Sequence, residues 1–257
     1  MSGTLKFFDK NYIDSDSIFA CTSADETLAS NVFDNDMTSK LTSIGSNDAT
    51  PEVWDITFSV ARTFNRLFVG GHNIKAGSLK YWSGAAYVDF STPISWSSNT
   101  ASSNYYEFNS VTTTVGLRLT MATTQVANVQ KFIAELRAFV EFGTVESDPT
   151  SIDLILQDKS IEHIGSTGGS LLVLFGKKYQ ADILFSDASD TDVTLFQTLK
   201  DAGRPFYIYP GGGVSNVERG FRVSDMYFVN WVNSFEPKLK SNLLGLGVQI
   251  RMEVHES

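Results

Sequence analysis

Six aromatic side chains in the first half of this sequence could do chemistry. Tyr81, Trp82, Tyr87, Trp96, Tyr105 and Tyr106 fall in or beside polar, loop-like stretches. A ring with a polar tip can stack on a sugar face or anchor a protein interface; it can also simply pack a core. Trp54 and Trp82 lie within strand-like alternation, which favours the core. Trp96 sits between Ser95 and Ser97, and Tyr105 follows Asn104. Trp96, Tyr105, Tyr106 and Tyr87 are therefore the candidate ligand-binding residues.

Catalytic chemistry has no comparable lead. His72, His163 and His255 are scattered, and none stands at metal-ligand spacing from a second His or Cys. There is no nucleophile elbow, Walker loop or dinucleotide fingerprint. Gly211-Gly212-Gly213 lacks the Lys-Ser/Thr and the helix that a phosphate cradle needs, so it reads as a hairpin tip. Gly165 to Gly169 reads as a turn. Two carboxylates for glycoside hydrolysis need only meet in space, and nothing singles out a pair. The expectation is a binding protein with no catalytic residue and no cofactor. A glycan-active enzyme with an unrecognised carboxylate pair is an alternative.

The elements that would position these residues are mostly strands. Apolar residues make up 42% and charged residues 19% of 257, enough apolar surface for two cores and too little charge for a disordered chain. The 19 Phe and 9 Tyr favour half-buried pleats. The net charge of −9 is spread evenly and leaves no basic patch, so nucleic acid is not an expected partner. Cys21 is the single cysteine and cannot form an internal disulfide. Met1-Ser2-Gly3-Thr4 lacks a basic start and an apolar core, so no signal peptide is expected. No apolar run reaches the ~18 residues of a membrane span, so no membrane insertion is expected.

Gly143-Thr144-Val145-Glu146-Ser147-Asp148-Pro149 breaks the periodicity. The expected domains are 1–143, a linker at 144–150, and 151–257. In the first, Trp54 to Val60 alternates apolar and polar residues, Arg66 to His72 is a central-strand run, and Leu79–Trp82 with Tyr87–Phe90 forms a hairpin around Ser83-Gly84. Tyr105–Phe108, Gly116–Met121 and Phe132–Phe142 complete a sandwich, with Ser97 to Asn104 as a surface loop. In the second, Leu171–Phe175, Gln180–Phe185, Phe206–Tyr209, Phe221–Val232 and Leu246–Val254 read as strands. Ser189-Asp190-Thr191-Asp192 is a capping box for one helix, over about Thr191–Ala202, that buries Val193, Phe196 and Leu199. The fold class is mainly β: an N-terminal jelly-roll β-sandwich followed by a β-rich domain with one helix.

Asn31-Val32-Phe33-Asp34-Asn35-Asp36, then Thr38, then Trp54-Asp55-Ile56-Thr57-Phe58, are answered downstream by Phe132 to Phe139, with Glu135-Leu136 as an acidic-apolar pair. Together they resemble the opening and closing strands of discoidin-like (F5/8 type C, galactose-binding-like) β-sandwiches, over roughly residues 20–142. The resemblance implies a fold that binds glycans, lipid headgroups or proteins and rarely catalyses. It also implies a structural calcium near the early Asp-rich turn, with Asp34 and Asp36 supplying carboxylate oxygens; an Asx-type turn is the alternative for those two residues. No cysteine pair ties the ends, as secreted members often have.

The second domain more faintly resembles the β-sandwich-plus-helix unit of tail and baseplate proteins of tailed bacteriophages. The order of Ala181–Phe185, the helix, Arg204–Pro210, Phe221–Asp225 and Gly247–Val254 carries that likeness. It implies a structural virion protein, assembled in the host cytoplasm into a homo-oligomeric ring with other virion proteins as partners. The sandwich would then serve protein contacts or a host-surface glycan. A free-standing carbohydrate-binding module is the alternative reading.

Overall fold

A computed structural model describes residues 5–44, 50–147, 149–164, 170–210, 217–218, 226–232, 238–239 and 246–254. The strands are β1 (Lys6–Phe8), β2 (Ser17–Cys21), β3 (Leu41–Thr42), β4 (Glu52–Gly70), β5 (Ile74–Trp82), β6 (Tyr87–Val88), β7 (Ile94–Trp96), β8 (Asn104–Thr124) and β9 (Phe132–Ile133). They continue with β10 (Glu135–Phe139), β11 (Glu141–Thr144), β12 (Ser151–Ile164), β13 (Ser170–Ala188), β14 (Phe206–Tyr209), β15 (Val217–Glu218), β16 (Tyr227–Trp231), β17 (Lys238–Leu239) and β18 (Leu246–Val254). Among the described residues one α-helix, α1, spans Asp190–Asp201. The chain divides into two compact units, Phe8–Phe142 and Gly143–Ser257 joined by Met1–Phe7.

The Phe8–Phe142 unit is a β-sandwich. Its seven-stranded sheet runs β10-β4-β8-β5-β6, with β2 on β4 and β7 on β5, and a small sheet pairs β3 with β9. Alternation does the sorting: Trp54, Ile56 and Phe58 of β4 point inward, as do Leu117, Leu119 and Met121 of β8 and Leu79 of β5. With Ile13, Val32, Leu41, Ile133 and Leu136 they form one core. Sequence periodicity divides 54–60 from 66–72, and 105–108 from 116–121. In the structure each pair is one long strand, carried through by register shifts between Thr57 and Arg62 and between Phe64 and Arg66. Bulges of this kind interrupt alternation without ending the ladder.

The segment expected as an opening strand is not one. Glu26–Val32 is a 3-10 helix capped by Asp25, whose side chain accepts from Thr27 N. Asn35 then has φ 67°, and Asp34 and Asp36 close successive local turns. Asn tolerates that left-handed conformation and Asp side chains hold their own downstream amides, so turn chemistry prevails over a short apolar run.

The second unit holds a nine-stranded sheet, β11-β1-β14-β16-β18-β13-β12-β15, with β17 on β18. The chain's first strand therefore completes the C-terminal unit: Leu5 and Phe7 are fully buried, and Phe7 meets Phe196 and Phe206 edge-on at 6.0 and 5.9 Å. The stretch expected as a linker is likewise engaged. Thr144 is in β11, Val145 is buried and donates to Leu5 O, and the amides of Glu146 and Ser147 donate to Asp192.

Ser189 caps α1 as the sequence predicts, with a reciprocal box to Asp192. Phe196 and Leu199 are buried, whereas Val193 is half-buried. Val248, Ile250, Met252 and Val254 of β18 face a core, and the strand is flanked by β13 on one side and by β16 and β17 on the other, so its apolar face and its edges serve this chain itself. The segments Gly165–Gly169 and Gly211–Gly213, expected as turns, and His255 and Phe221–Asp225 lie outside the described residues. No helix among the described residues is long and apolar enough to cross a membrane.

Candidate functional site

Of the four aromatic candidates, Tyr87 belongs to a group on the solvent side of the large sheet. In β4, Asp55 alternates with the buried Trp54 and Ile56 and so faces outward. The register sets Asp55 beside Arg118 and Arg118 beside Lys80. Lys80 pairs with Asp89 at 3.5 Å, which completes a charged row. The adjacent row holds Thr57, Gly116 and the Trp82–Tyr87 pair at the end of the β5–β6 hairpin. Gly84, with φ 97°, makes that tight hairpin possible.

The contacts within this group are specific. Arg118 Nε and Nη2 donate to Asp55 Oδ1 and Oδ2, each at 2.6 Å, a two-pronged pairing. The Arg118 guanidinium stacks over the Tyr87 ring at 4.1 Å, and Trp82 meets Tyr87 edge-to-face at 5.1 Å. A Cβ on Gly116 would lie 3.1 Å from Ile56 O, 3.7 Å from Trp82 Cβ and 3.8 Å from Tyr87 Oη, so the missing side chain lets both aromatics lie close to the strand. The hydrogen bond that Arg118 donates to Asp55 raises the Arg118 pKa, and partial burial followed by the Asp55 charge raises that of Tyr87. Trp82 and Tyr87 remain half-buried, with part of each ring open to solvent. Two of the five Arg118 N–H groups hold Asp55, which leaves three donors for a ligand.

The other three candidates are used in packing: Trp96 and Tyr106 against the sandwich core, and Tyr105 on the opposite face of its strand. Trp96 is 8% exposed, and its Nε1 donates to Tyr106 Oη at 2.5 Å. Burial pushes the Tyr106 hydroxyl up to about 12. Tyr105 packs its ring 6.0 Å from Phe8, and burial also raises its pKa. His72 sits 5.9 Å from Trp96; its Nδ1 accepts from Ile74 N at 3.1 Å, and its Nε2 lies 2.7 Å from Asn104 Oδ1. The amide donation makes Nδ1 the acceptor, so Nε2 carries the proton, and burial lowers the pKa. Trp54, also expected in the core, is fully buried.

Sequence reading placed Trp82 in the core, whereas it is half-buried on the outer face beside Tyr87, and it missed Arg118, Asp55 and Gly116 as site residues. The signal was the outward phase of two strands with aromatics at their hairpin neighbour, and it is legible only once the register between strands is known.

The early Asp turn is bonded to itself. Asp34 Oδ1 accepts from Asp36 N at 2.9 Å and its Oδ2 from Ser39 Oγ at 2.6 Å, while Asp36 Oδ1 takes Thr38 N and Oγ1 at 2.7 and 2.6 Å. These are Asx turns, and the Thr38 hydroxyl lowers the Asp36 pKa. Met37 lies against Gly70, whose Cβ would come 3.2 Å from Met37 Cε, placing the turn over the junction of β4 and β10. There Glu135 is fully buried: Oε2 takes Arg137 Nε at 3.0 Å and Oε1 has no hydrogen-bond partner. Burial, and further the Asp34 charge, raise its pKa. An orphaned carboxylate oxygen facing an Asp turn is a donor set of the hard-oxygen kind that suits calcium. Among the described residues no three His, Cys, Asp or Glu gather to hold a metal, so backbone and hydroxyl oxygens would have to complete the shell.

No family model and no curated protein matches the sequence. Solved structures are similar to about half of it. One is chitosan-binding module 1 derived from a chitosanase/glucanase of Paenibacillus sp. IK-5, 14% identical over 51% of this chain and 99% of that one, TM-score 0.42. Another is the family 32 carbohydrate-binding module from C. perfringens NanJ in complex with galactose, 18% identical over 52% and 98%, TM-score 0.41. A third is a putative α-L-fucosidase from Bacteroides thetaiotaomicron, 12% identical over 53% of this chain and 30% of that one, TM-score 0.44. The function of this chain is read from its own side chains.

Proposed function

We propose that the Phe8–Phe142 sandwich is a non-catalytic carbohydrate-binding module whose ligand lies on the outer sheet face. The observation that carries this is the juxtaposition of the Trp82–Tyr87 edge with the Arg118–Asp55 pair across Gly116. A pyranose offers an apolar C–H face and a ring of hydroxyls. Exposed aromatic surface takes the first; a fixed fork with donors to spare, next to a carboxylate acceptor, takes the second. The pair is oriented before any ligand arrives, so little side-chain entropy remains to be lost. Calcium, where bound at the turn of Asp34 and Asp36, would need backbone and hydroxyl oxygens to complete its shell as a structural ion.

The test is binding of the full chain to a panel of neutral galactose-, N-acetylglucosamine- and fucose-containing polysaccharides by calorimetry or affinity electrophoresis. Tyr87→Ala and Trp82→Ala should each weaken the bound ligand by about tenfold, the ~1–3 kcal/mol typical of a stacked aromatic anchor. Full affinity in both variants, or no binding across the panel, would remove the proposal.

A second reading, a tail or baseplate subunit of a tailed phage, draws on a different observation. Ile18, Val60 and Val111 are 66%, 58% and 57% exposed on the sandwich, and apolar side chains so open suit a protein contact. Mass spectrometry of purified virions decides it: the chain must be present at a fixed copy number.

A further inference from the structure

We propose that the site on the sandwich takes the interior of a straight β-1,4-linked chain of neutral hexoses, laid across the strands from the β5–β6 hairpin to β2. This rests on the binding role proposed above and names its ligand. The sheet register builds two parallel rows on the outer face. One runs Tyr87, Trp82, Gly116, Thr57 and Ile18. The other runs Asp89, Lys80, Arg118, Asp55 and Ala20. Neighbouring strands lie ~4.8 Å apart, so a row that crosses β6, β5, β8, β4 and β2 spans about 19 Å. A hexose in an extended β-linked chain advances by about one strand spacing, so the row has room for about four.

The first row suits sugar rings. Trp82 and Tyr87 are half-buried, and the Tyr87 hydroxyl lies 3.8 Å from where a Gly116 Cβ would be, so aromatic surface already reaches from β6 to β8. Beyond it stand the exposed Thr57 and then Ile18, which is 66% exposed. At that exposure Ile18 adds little to the core. As the last member of the row it supplies a second apolar rest for a ring, on β2, across β4 and β8 from Trp82. The second row suits hydroxyls. Asp55 holds Arg118 and Asp89 holds Lys80, so its charges cancel while donors and acceptors remain. A β-1,4 linkage joins equatorial bonds and gives a flat ribbon with C–H faces and hydroxyl edges, which these two rows match. An α-1,4 linkage curves the chain off a straight row. Ala20 and Asp89, at the two ends, are exposed, so a longer chain can run on past either.

Oligomers of graded length isolate this geometry. The probes are β-1,4-linked glucose and β-1,4-linked N-acetylglucosamine, with α-1,4-linked glucose as the curved control. Calorimetry on the full chain should find at least one β-1,4 series binding tighter as it lengthens, by about tenfold or more from dimer to pentamer, and level beyond. The α-1,4 pentamer should bind no tighter than its dimer. Ile18→Thr should weaken the β-1,4 pentamer about fivefold and leave the dimer unchanged, whereas Tyr87→Ala should weaken both. Ile18 is exposed and Thr is also a strand former, so that variant should fold; circular dichroism checks this, and the length series stands without it. Equal affinity of β-1,4 dimer and pentamer overturns the proposal. So does an equal rise in the α-1,4 series, or full pentamer affinity in folded Ile18→Thr. If other neutral polysaccharides bind through Trp82 and Tyr87 but neither β-1,4 series does, the binding role stands and this chain geometry falls. No binding of any carbohydrate removes both.

Discussion

Two buried ionisable residues of the sandwich set opposite pH responses. His72 is 2% exposed with Nδ1 committed as an acceptor, so protonation places a second N–H against the Ile74 amide. Its folded pKa lies below the unfolded value of 6.5, so below 6.5 the unfolded chain binds the extra proton. Its contribution to stability is complete above 6.5 and is lost as pH falls from there toward the lowered folded value. Glu135 behaves in the opposite sense: its folded pKa is raised above 4.5, so the native state is disfavoured as pH rises from 4.5 through the folded value. The His72 term is therefore read as a difference: subtracting a His72→Gln curve from wild type between pH 5 and 7 should leave stability rising with pH, and a flat difference would contradict the burial argument. Calcium tests Glu135. A cation taking Oε1 offsets its buried charge, so added calcium should raise the melting temperature at pH 7, and Glu135→Gln should abolish that rise. No shift in metal-checked protein would leave the Asp34–Ser39 turn as Asx turns alone.

The elements show where sequence was legible. The capping box at Ser189, the strands Phe206–Tyr209 and Leu246–Val254, and the hairpin at Ser83-Gly84 follow from local rules that act within a few residues, and the structure has them. β4 and β8 looked like four strands because bulges at Thr57–Arg62 and Phe64–Arg66 interrupt the alternation, and a break in alternation reads as a turn unless the partner is known. The site suffered from the same blindness. Tyr87 stood out by type, but Arg118 and Asp55 lie far apart in sequence and meet only through the register.

Trp96 misled because Ser95 and Ser97 point outward while it points in, the ordinary phase of a strand. Asp192 ties the start of α1 to the segment before β12. Its carboxylate accepts the amides of Glu146 at 2.7 Å, Ser147 at 3.1 Å and Ser189 at 3.2 Å, and it is fully buried. Asp192→Ala leaves those donors without their acceptor and should cost about 3 kcal/mol or more, beyond an ordinary cap deletion. Denaturant titration showing a loss under about 1 kcal/mol would mean that water replaces it.

At the scale of the whole molecule, chain order and unit order disagree, and this has a measurable consequence. A cut after residue 142 looks natural from composition, yet it separates β1 from the sheet that it completes. β1 lies between β11 and β14, and the fully buried Leu5 and Phe7 come with it. Phe7 touches Phe196 of the helix and Phe206 of β14, so its ring joins two elements of the C-terminal unit. Removing a buried Phe costs about 3–5 kcal/mol; losing the strand also exposes the edge of β14. A fragment of residues 8–142 should thus fold with a cooperative melt, because its core closes within it. A fragment of residues 143–257 should be unfolded or aggregated. Grafting residues 1–8 onto that fragment through a flexible linker should restore cooperative unfolding, and the same graft carrying Phe7→Ala should restore it only partly. If the bare C-terminal fragment already melts as sharply as the grafted one, β1 is an accessory to that sheet and the boundary at Gly143 is sufficient.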